Sequence, residues 1–163
     1  MAFSLPLNII SPIDANRLRR ELINLQDFFV GAAKRKAGTT ITPPKTTQLL
    51  EELAKTNKLS LLEAEGRTKL LEQIDKIIAE APKLHISFAV DPPPKAVETI
   101  LSWLRQNIDP HILIQIGLQP NIGAGCVLRT ANREFDLSMR QHLQSSKPQL
   151  AGLIQEAVKH AGI

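Results

Sequence analysis

The chain is poor in the residues that build disulfides, metal sites and aromatic cores. It has a single cysteine, Cys126, one tryptophan and no tyrosine, and aromatic residues occupy only 4% of its 163 positions. A single cysteine excludes an intramolecular disulfide and a zinc site made of cysteines, and it fits a reducing compartment. The core must therefore come from leucine, isoleucine, valine and alanine.

Long apolar runs are also missing. No segment approaches the roughly 20 consecutive apolar residues that a membrane-spanning helix needs. The N-terminus has no early positive charge and contains Pro6 and Pro12, so we do not expect a secretory signal peptide.

The charge of the chain is mildly basic, with a formal net charge of +4 and an isoelectric point of about 9.4. A basic chain raises the question of nucleic acid. The positive excess is shared by both halves, and only two local clusters occur, one at 17–20 and one at 34–36. Solvated helix faces explain both clusters, so we expect no nucleic-acid binding.

Motifs for common catalytic chemistry are absent. No Gly-Lys pair forms a phosphate-binding loop, and the glycines at 123 and 125 precede a predicted strand, unlike a dinucleotide fingerprint. Ser138 and His142 are four residues apart with Asp136 nearby, but a helix cap at Asp136 or Ser138 explains them better than a nucleophile and its base. We predict no enzymatic activity, no cofactor and no bound metal.

Hydrophobic periodicity predicts helices first and strands later. Leu18, Leu22, Leu25 and Phe29 form one stripe of a first helix, which we expect to begin with a cap at Asp14 or Asn16 and to end before Gly38. A capping box at Ser60 and Glu63 predicts the start of a third helix, and Pro82 ends it. Strict alternation of Leu84, Ile86, Phe88 and Val90 then predicts a strand with one buried face. The remaining predicted elements are helices at 45–56, 94–108, 138–145 and 146–160 and strands at 111–119, 124–130 and 134–136.

The predicted class is therefore α+β, an N-terminal helical bundle followed by a small β-α-β-β-α domain. We place the N-terminal helical domain at residues 1–82 and the C-terminal α/β domain at 83–163.

The C-terminal half resembles a known family. The run LQPNIGAGCVLRTANREFDLSMRQHL is similar to the signature of the delta subunit of F-type ATP synthase, the oligomycin-sensitivity-conferring protein family. Upstream, residues 49–59 resemble the end of that family's N-terminal domain. The chain departs from the pattern in its Gly-Ala-Gly and Asp-Leu-Ser steps and in its shorter helical region. The positions in register are Pro120, Ile122, Gly123, Gly125, Val127, Arg129, Asp136, Ser138, Arg140 and Leu143.

The resemblance implies a non-catalytic stator component of proton-driven ATP synthesis. Such a subunit is cytoplasmic and reaches the membrane only through its complex. It links the N-terminal helices of the alpha subunits to the C-terminus of the peripheral-stalk b subunit. We assign the first-helix stripe (Leu18, Leu22, Leu25, Phe29) and a final stripe (Leu143, Leu150, Leu153, Ile154, Val158) to partner contacts, with a bundle core as the alternative for the first. The signature residues Ile122, Gly123, Gly125, Arg129, Asp136, Ser138 and Arg140 are assigned to the fold.

Two other functions remain open. One is an E-type peripheral-stalk subunit of a vacuolar or archaeal rotary ATPase, although the first predicted helix is short for that family's long N-terminal coiled coil. The other is a small basic RNA-binding α/β module, although the chain lacks the aromatic and GxxG motifs of such modules.

Overall fold

A computed structural model of the chain describes residues 3–34 and 43–160, the side chains of 140–143 and 155–160 excepted. Helices come first and a mixed four-stranded sheet follows, which confirms the α+β class. The helices are α1 (Pro12–Ala33), α2 (Gln48–Thr56), α3 (Ala64–Glu80), α4 (Pro94–Asn107) and α5 (Arg140–His160). The strands are β1 (Lys83–Phe88), β2 (Leu113–Leu118), β3 (Gly125–Arg129) and β4 (Glu134–Ser138), with a single 3-10 turn at Pro120–Ile122.

The strands lie in the order β2-β1-β3-β4, so β4 forms one edge of the sheet. β3 pairs antiparallel with both of its neighbours, with Leu128 opposite Ile86 on one side and Phe135 on the other. We predicted only a short strand at 134–136, whereas β4 is a strand of five residues.

Contacts divide the chain into two compact units. The first consists of Met1–Leu84 with Pro93–Gln115, and the second of His85–Pro92 with Ile116–Ile163. Helix α4 thus belongs with the N-terminal helices, whereas the predicted domains 1–82 and 83–163 group it with the strands. The division into domains 1–82 and 83–163 stays a prediction.

Helix α1 begins earlier than predicted. Ser11 is its N-cap, and Asp14 is its third residue rather than its cap. The Ser11 hydroxyl accepts from the Asp14 amide at 3.2 Å, while the Asp14 carboxylate accepts from the Ser11 amide at 2.9 Å. Pro12 is tolerated at the first helical position because that amide needs no intrahelical partner. Helix α1 also ends earlier than predicted, at Ala33 with Lys34 as its C-cap, rather than just before Gly38.

The predicted capping box of the third helix is wrong. Helix α3 starts at Ala64, and Glu63 precedes it without a side-chain cap. Ser60 instead crosses the first turn of α3 so closely that a Cβ on Gly66 would lie 2.2 Å from the Ser60 carbonyl oxygen. Arg67 then donates from Nη1 to the carbonyls of Leu61 and Leu62, each at 2.8 Å. The segment before α3 is therefore held by side-chain contacts and is not helical.

Two further boundaries differ from the prediction. Strand β1 ends at Phe88, so Val90 is exposed and does not join the buried face. Helix α5 runs without interruption from Arg140 to His160 and includes Pro148, whereas we predicted two helices that meet at 145–146. Proline cannot donate to the carbonyl of Gln144, but the described residues around it are exposed, so water can take that place.

The first unit has a core built from aliphatic side chains of its helices and of the N-terminal segment. We name residues 3–11 the N-terminal strap. Leu5 and Ile9 of the strap are buried, and Arg105 of α4 donates to the carbonyls of Leu5, Pro6 and Ile9 at 3.0, 2.8 and 2.6 Å. The buried members of the cluster are Leu5, Ile9, Ala15, Leu18, Leu22, Leu50, Leu53, Ala54, Leu70, Ile74, Ile77 and Leu113.

Candidate docking surface

The apolar stripe of α1 lies inside the first unit. Leu18, Leu22 and Leu25 are buried, as the bundle-core alternative predicts. Phe29 is half-buried, and the Arg67 guanidinium carbon lies 4.2 Å from the centre of its ring. A partner could reach the three leucines only if the helical unit opened, so the predicted alpha-subunit contact stays a prediction.

Helix α5 is exposed, in contrast to the buried stripe of α1. Every residue from 144 to 154 is exposed, and Leu150, Leu153 and Ile154 keep 59%, 63% and 55% of their surface. Spacings of three and four residues place these side chains on one side of the helix. We name Leu150, Leu153 and Ile154 the docking stripe. Leu143 and Val158, also predicted to contact the stalk, belong to α5, but their side chains lie outside the described part.

A second exposed apolar surface lies on the edge strand β4, and we did not predict it. Phe135 is 47% exposed and Leu137 is 60% exposed. Paired residues of neighbouring strands share a face, so Phe135 lies beside Leu128 and Leu137 lies beside Cys126. The alternation of Phe135, Leu137 and Met139 with polar residues was the available sequence signal. We name Leu128, Phe135 and Leu137 the sheet patch.

Strand β2 contributes exposed apolar residues on the same face. A Cβ on Gly117 would lie 2.7 Å from Nε2 of His85, so Gly117 is on the face of His85. Its neighbours Ile116 and Leu118 therefore point to the other face, which is also the face of the sheet patch. Both are exposed. The second unit thus has an apolar sheet face that its described side chains leave partly uncovered.

Two glycines of the family-like signature shape the connection into β3. Gly123 has φ +76° with open space around it, whereas Gly125 has φ +91° and its Cβ would lie 2.5 Å from the Leu137 carbonyl oxygen. Both conformations favour glycine, and Gly125 also allows β4 to approach closely. Ile122 of the 3-10 turn, which precedes Gly123, is buried. These three residues serve the local fold.

The polar signature residues make local contacts. Arg129 donates from Nε to Glu134 at 2.8 Å across the β3–β4 hairpin. The Asp136 carboxylate accepts from the Ser138 amide at 2.8 Å. Asp136 and Ser138 both lie in β4, and the helix that we predicted to start at Ser138 begins at Arg140. That one of them caps this helix stays a prediction. The side chain of Arg140, the remaining signature residue, lies outside the described part.

Two titratable groups have shifted pKa values. Burial raises the pKa of the half-buried Cys126 thiol, which favours the protonated and less nucleophilic form. Burial also lowers the pKa of Arg105 to about 10. Arg105 is still charged at neutral pH, and its three carbonyl partners suit the charged form. Neither group points to acid-base chemistry.

Within residues 3–34 and 43–160, no group of three histidine, cysteine or acidic residues is placed to hold a metal ion. The helices of that part are also too short or too polar to cross a membrane. Neither the protein-family models nor the curated proteins contain a match to this chain.

Proposed function

We propose that the protein is a non-catalytic stator connector of an F-type ATP synthase, which joins the catalytic head to the b subunit of the peripheral stalk. The observation that carries the proposal is the docking stripe of α5. Three large aliphatic side chains at helical spacing are exposed on a helix whose described residues are all exposed. Amphipathic helices with an uncovered apolar face commonly bind other helices. The signature-like run that leads into α5 is what supports this choice of family.

The docking stripe alone does not supply enough binding free energy for a stator contact. Full burial of a leucine or isoleucine contributes about 1.5–3 kcal/mol. Because the three side chains are already partly covered, docking them adds on the order of 3–5 kcal/mol before association costs. A stator contact that resists torque needs nanomolar affinity, about −12 kcal/mol. We therefore assign the sheet patch to the same role, as a second surface covered in the complex.

The E-type stalk alternative has less support. That family uses a long, charged N-terminal coiled coil. Here α1 has 22 residues, and its leucines are buried in the first unit. A helix that packs into a compact core cannot also form an extended rod.

The RNA-binding alternative rests on the basic clusters. Arg19 of the first cluster is paired with Asp75 at 2.5 Å, which neutralises part of that cluster. Residues 35 and 36 of the second cluster lie outside the described residues. Among the described residues, the first basic cluster is thus partly neutralised, which weakens the RNA alternative.

The decisive experiment is affinity purification of the tagged full chain from its native cells at high salt. We expect the alpha and b subunits to copurify, because apolar contacts persist when charges are screened. Deletion of the protein should also abolish proton-driven ATP synthesis. A chain that purifies without these subunits, or cells that make ATP normally without it, would overturn the proposal. Bound RNA that dissociates steeply with salt would support the RNA alternative instead.

A further inference from the structure

The docking stripe has basic residues along one of its two flanks. Helix α5 contains Arg140, Lys147 and Lys159 but only one acidic residue, Glu156. Lys147 is exposed. It precedes Leu150 by three residues and Ile154 by seven, so it stands beside the stripe on the same side of the helix. Arg140, seven residues earlier, occupies the equivalent position one heptad before.

These spacings match the positions of a helix that pairs with another helix. With Leu143 and Leu150 at heptad position a, Leu153 falls at d, and Arg140 and Lys147 fall at e. Positions a and d form the apolar seam between two helices, whereas e and g flank it and select the partner through their charges. Position e of α5 is therefore basic at two successive heptads, whereas Ile154 occupies e of the next heptad and Glu156 falls at g, on the other flank.

A second copy of the same helix does not complement that flank. In a parallel pair, Lys147 would face position g of the preceding heptad, which is His142. In an antiparallel pair, position e of one helix faces position e of the other. Lys147 would then face another e residue of α5, and these residues are basic or apolar. Neither arrangement supplies a carboxylate, and like charges across a helix seam disfavour pairing. The charge pattern therefore selects against self-association through α5.

We propose that the docking stripe binds an amphipathic helix of another protein that carries glutamate or aspartate at the positions that face e of α5. The proposal rests on the proposed docking role of α5 and adds the chemistry of the partner. Apolar contacts provide most of the affinity, and the ion pairs at the flank choose the partner and its orientation. The partner is thus distinguished from a neutral or basic helix of equal hydrophobicity.

The test uses the full chain and two synthetic helical peptides with the same leucine seam. One peptide has glutamate at every flanking position, and the other has lysine there. We expect the glutamate peptide to bind about tenfold more tightly at low salt. The preference should shrink as salt is added, because exposed ion pairs are screened. Fluorescence anisotropy measures both affinities.

Charge reversal in the chain supplies the matched control. Lys147→Glu should abolish the preference for the glutamate peptide or reverse it. Lys95→Glu reverses another exposed lysine, in α4, and should leave the preference unchanged. Leu153→Asp should weaken the binding of both peptides, because it disrupts the seam that they share.

Each other outcome overturns the proposal. Equal affinity for the two peptides, a preference for the lysine peptide, or no binding of either would each contradict it. Dimerisation of the full chain that Leu153→Asp abolishes, measured by sedimentation, would identify a second copy as the occupant. Failure of the proposed function looks different. A chain that prefers the glutamate peptide but does not copurify with alpha and b refutes the stator role alone, and a chain that copurifies without a charge preference refutes this inference alone.

Discussion

Helices α1 and α5 have nearly the same length, 22 and 21 residues, and both carry leucines at helical spacing. The leucines of α1 are buried in the first unit, whereas the described leucines of α5 keep more than half of their surface. The hydrophobic pattern of the two helices is similar, so the pattern alone does not decide between a core and a docking surface. What decides is whether the chain itself supplies neighbours to cover the stripe. In α1 it does, and in α5 the described part of the chain does not.

The largest expected difference between the two helices is in folding stability. Leu22→Ala removes a fully buried side chain from the core of the first unit, so the free energy of unfolding should fall by about 3 kcal/mol. Leu153→Ala removes an exposed side chain and should change it by less than about 0.5 kcal/mol. Urea denaturation followed by circular dichroism measures both. Equal losses would mean that α5 is buried against the rest of the chain in solution.

A second comparison lies within the signature turn. Gly125→Ala places a Cβ against the Leu137 carbonyl and requires a strained backbone, so we expect a loss of about 2–3 kcal/mol in unfolding free energy. Gly123→Ala has the backbone strain without the clash and should cost about 1 kcal/mol. Thermal denaturation of the pair checks the order. A larger loss at Gly123 would contradict the close approach of β4.

A third expected effect concerns the N-terminal strap. Arg105→Met keeps much of the side-chain volume but removes the guanidinium that donates to three strap carbonyls, of which, among the described residues, only that of Pro6 keeps a second donor, the Ile9 amide at 3.2 Å. It should cost about 2 kcal/mol. The matched control is Arg19→Gln, which removes an exposed ion pair with Asp75 and should cost less than about 1 kcal/mol. Hydrogen exchange at residues 5–10 should rise only in the Arg105 variant. Unchanged exchange would show that Arg105 does not hold the strap.

Local patterns predicted much of the fold. Alternation located β1, β-branched residues located β2, and the three-four spacing of Leu18, Leu22 and Leu25 located α1 and its buried side. These features depend on neighbours a few residues apart, so a sequence can reveal them. The start of α1 was missed because Asp14 and Asn16 are good caps in isolation, whereas the reciprocal pair of Ser11 and Asp14 is better.

Features that depend on distant contacts could not be predicted. The strap looks irregular as a sequence, and it is held by Arg105, about a hundred residues away in the chain. The sheet patch became visible only when the register placed Phe135 beside Leu128. The continuation of α5 through Pro148 contradicts the usual effect of proline, and only the exposure of the surrounding helix accounts for it. The exposure of the docking stripe likewise depends on what the rest of the chain does not cover.

The most direct test of the docking role combines Leu150→Asp with Leu153→Asp in the full chain. Both side chains are exposed, so the melting temperature should equal that of the unmodified protein, while affinity for the b subunit should fall at least about a hundredfold. The control is Ser145→Asp with Gly152→Asp, which puts the same two charges on the opposite side of α5 and should preserve binding. Unchanged affinity of the Leu150 and Leu153 variant for the b subunit would contradict the account.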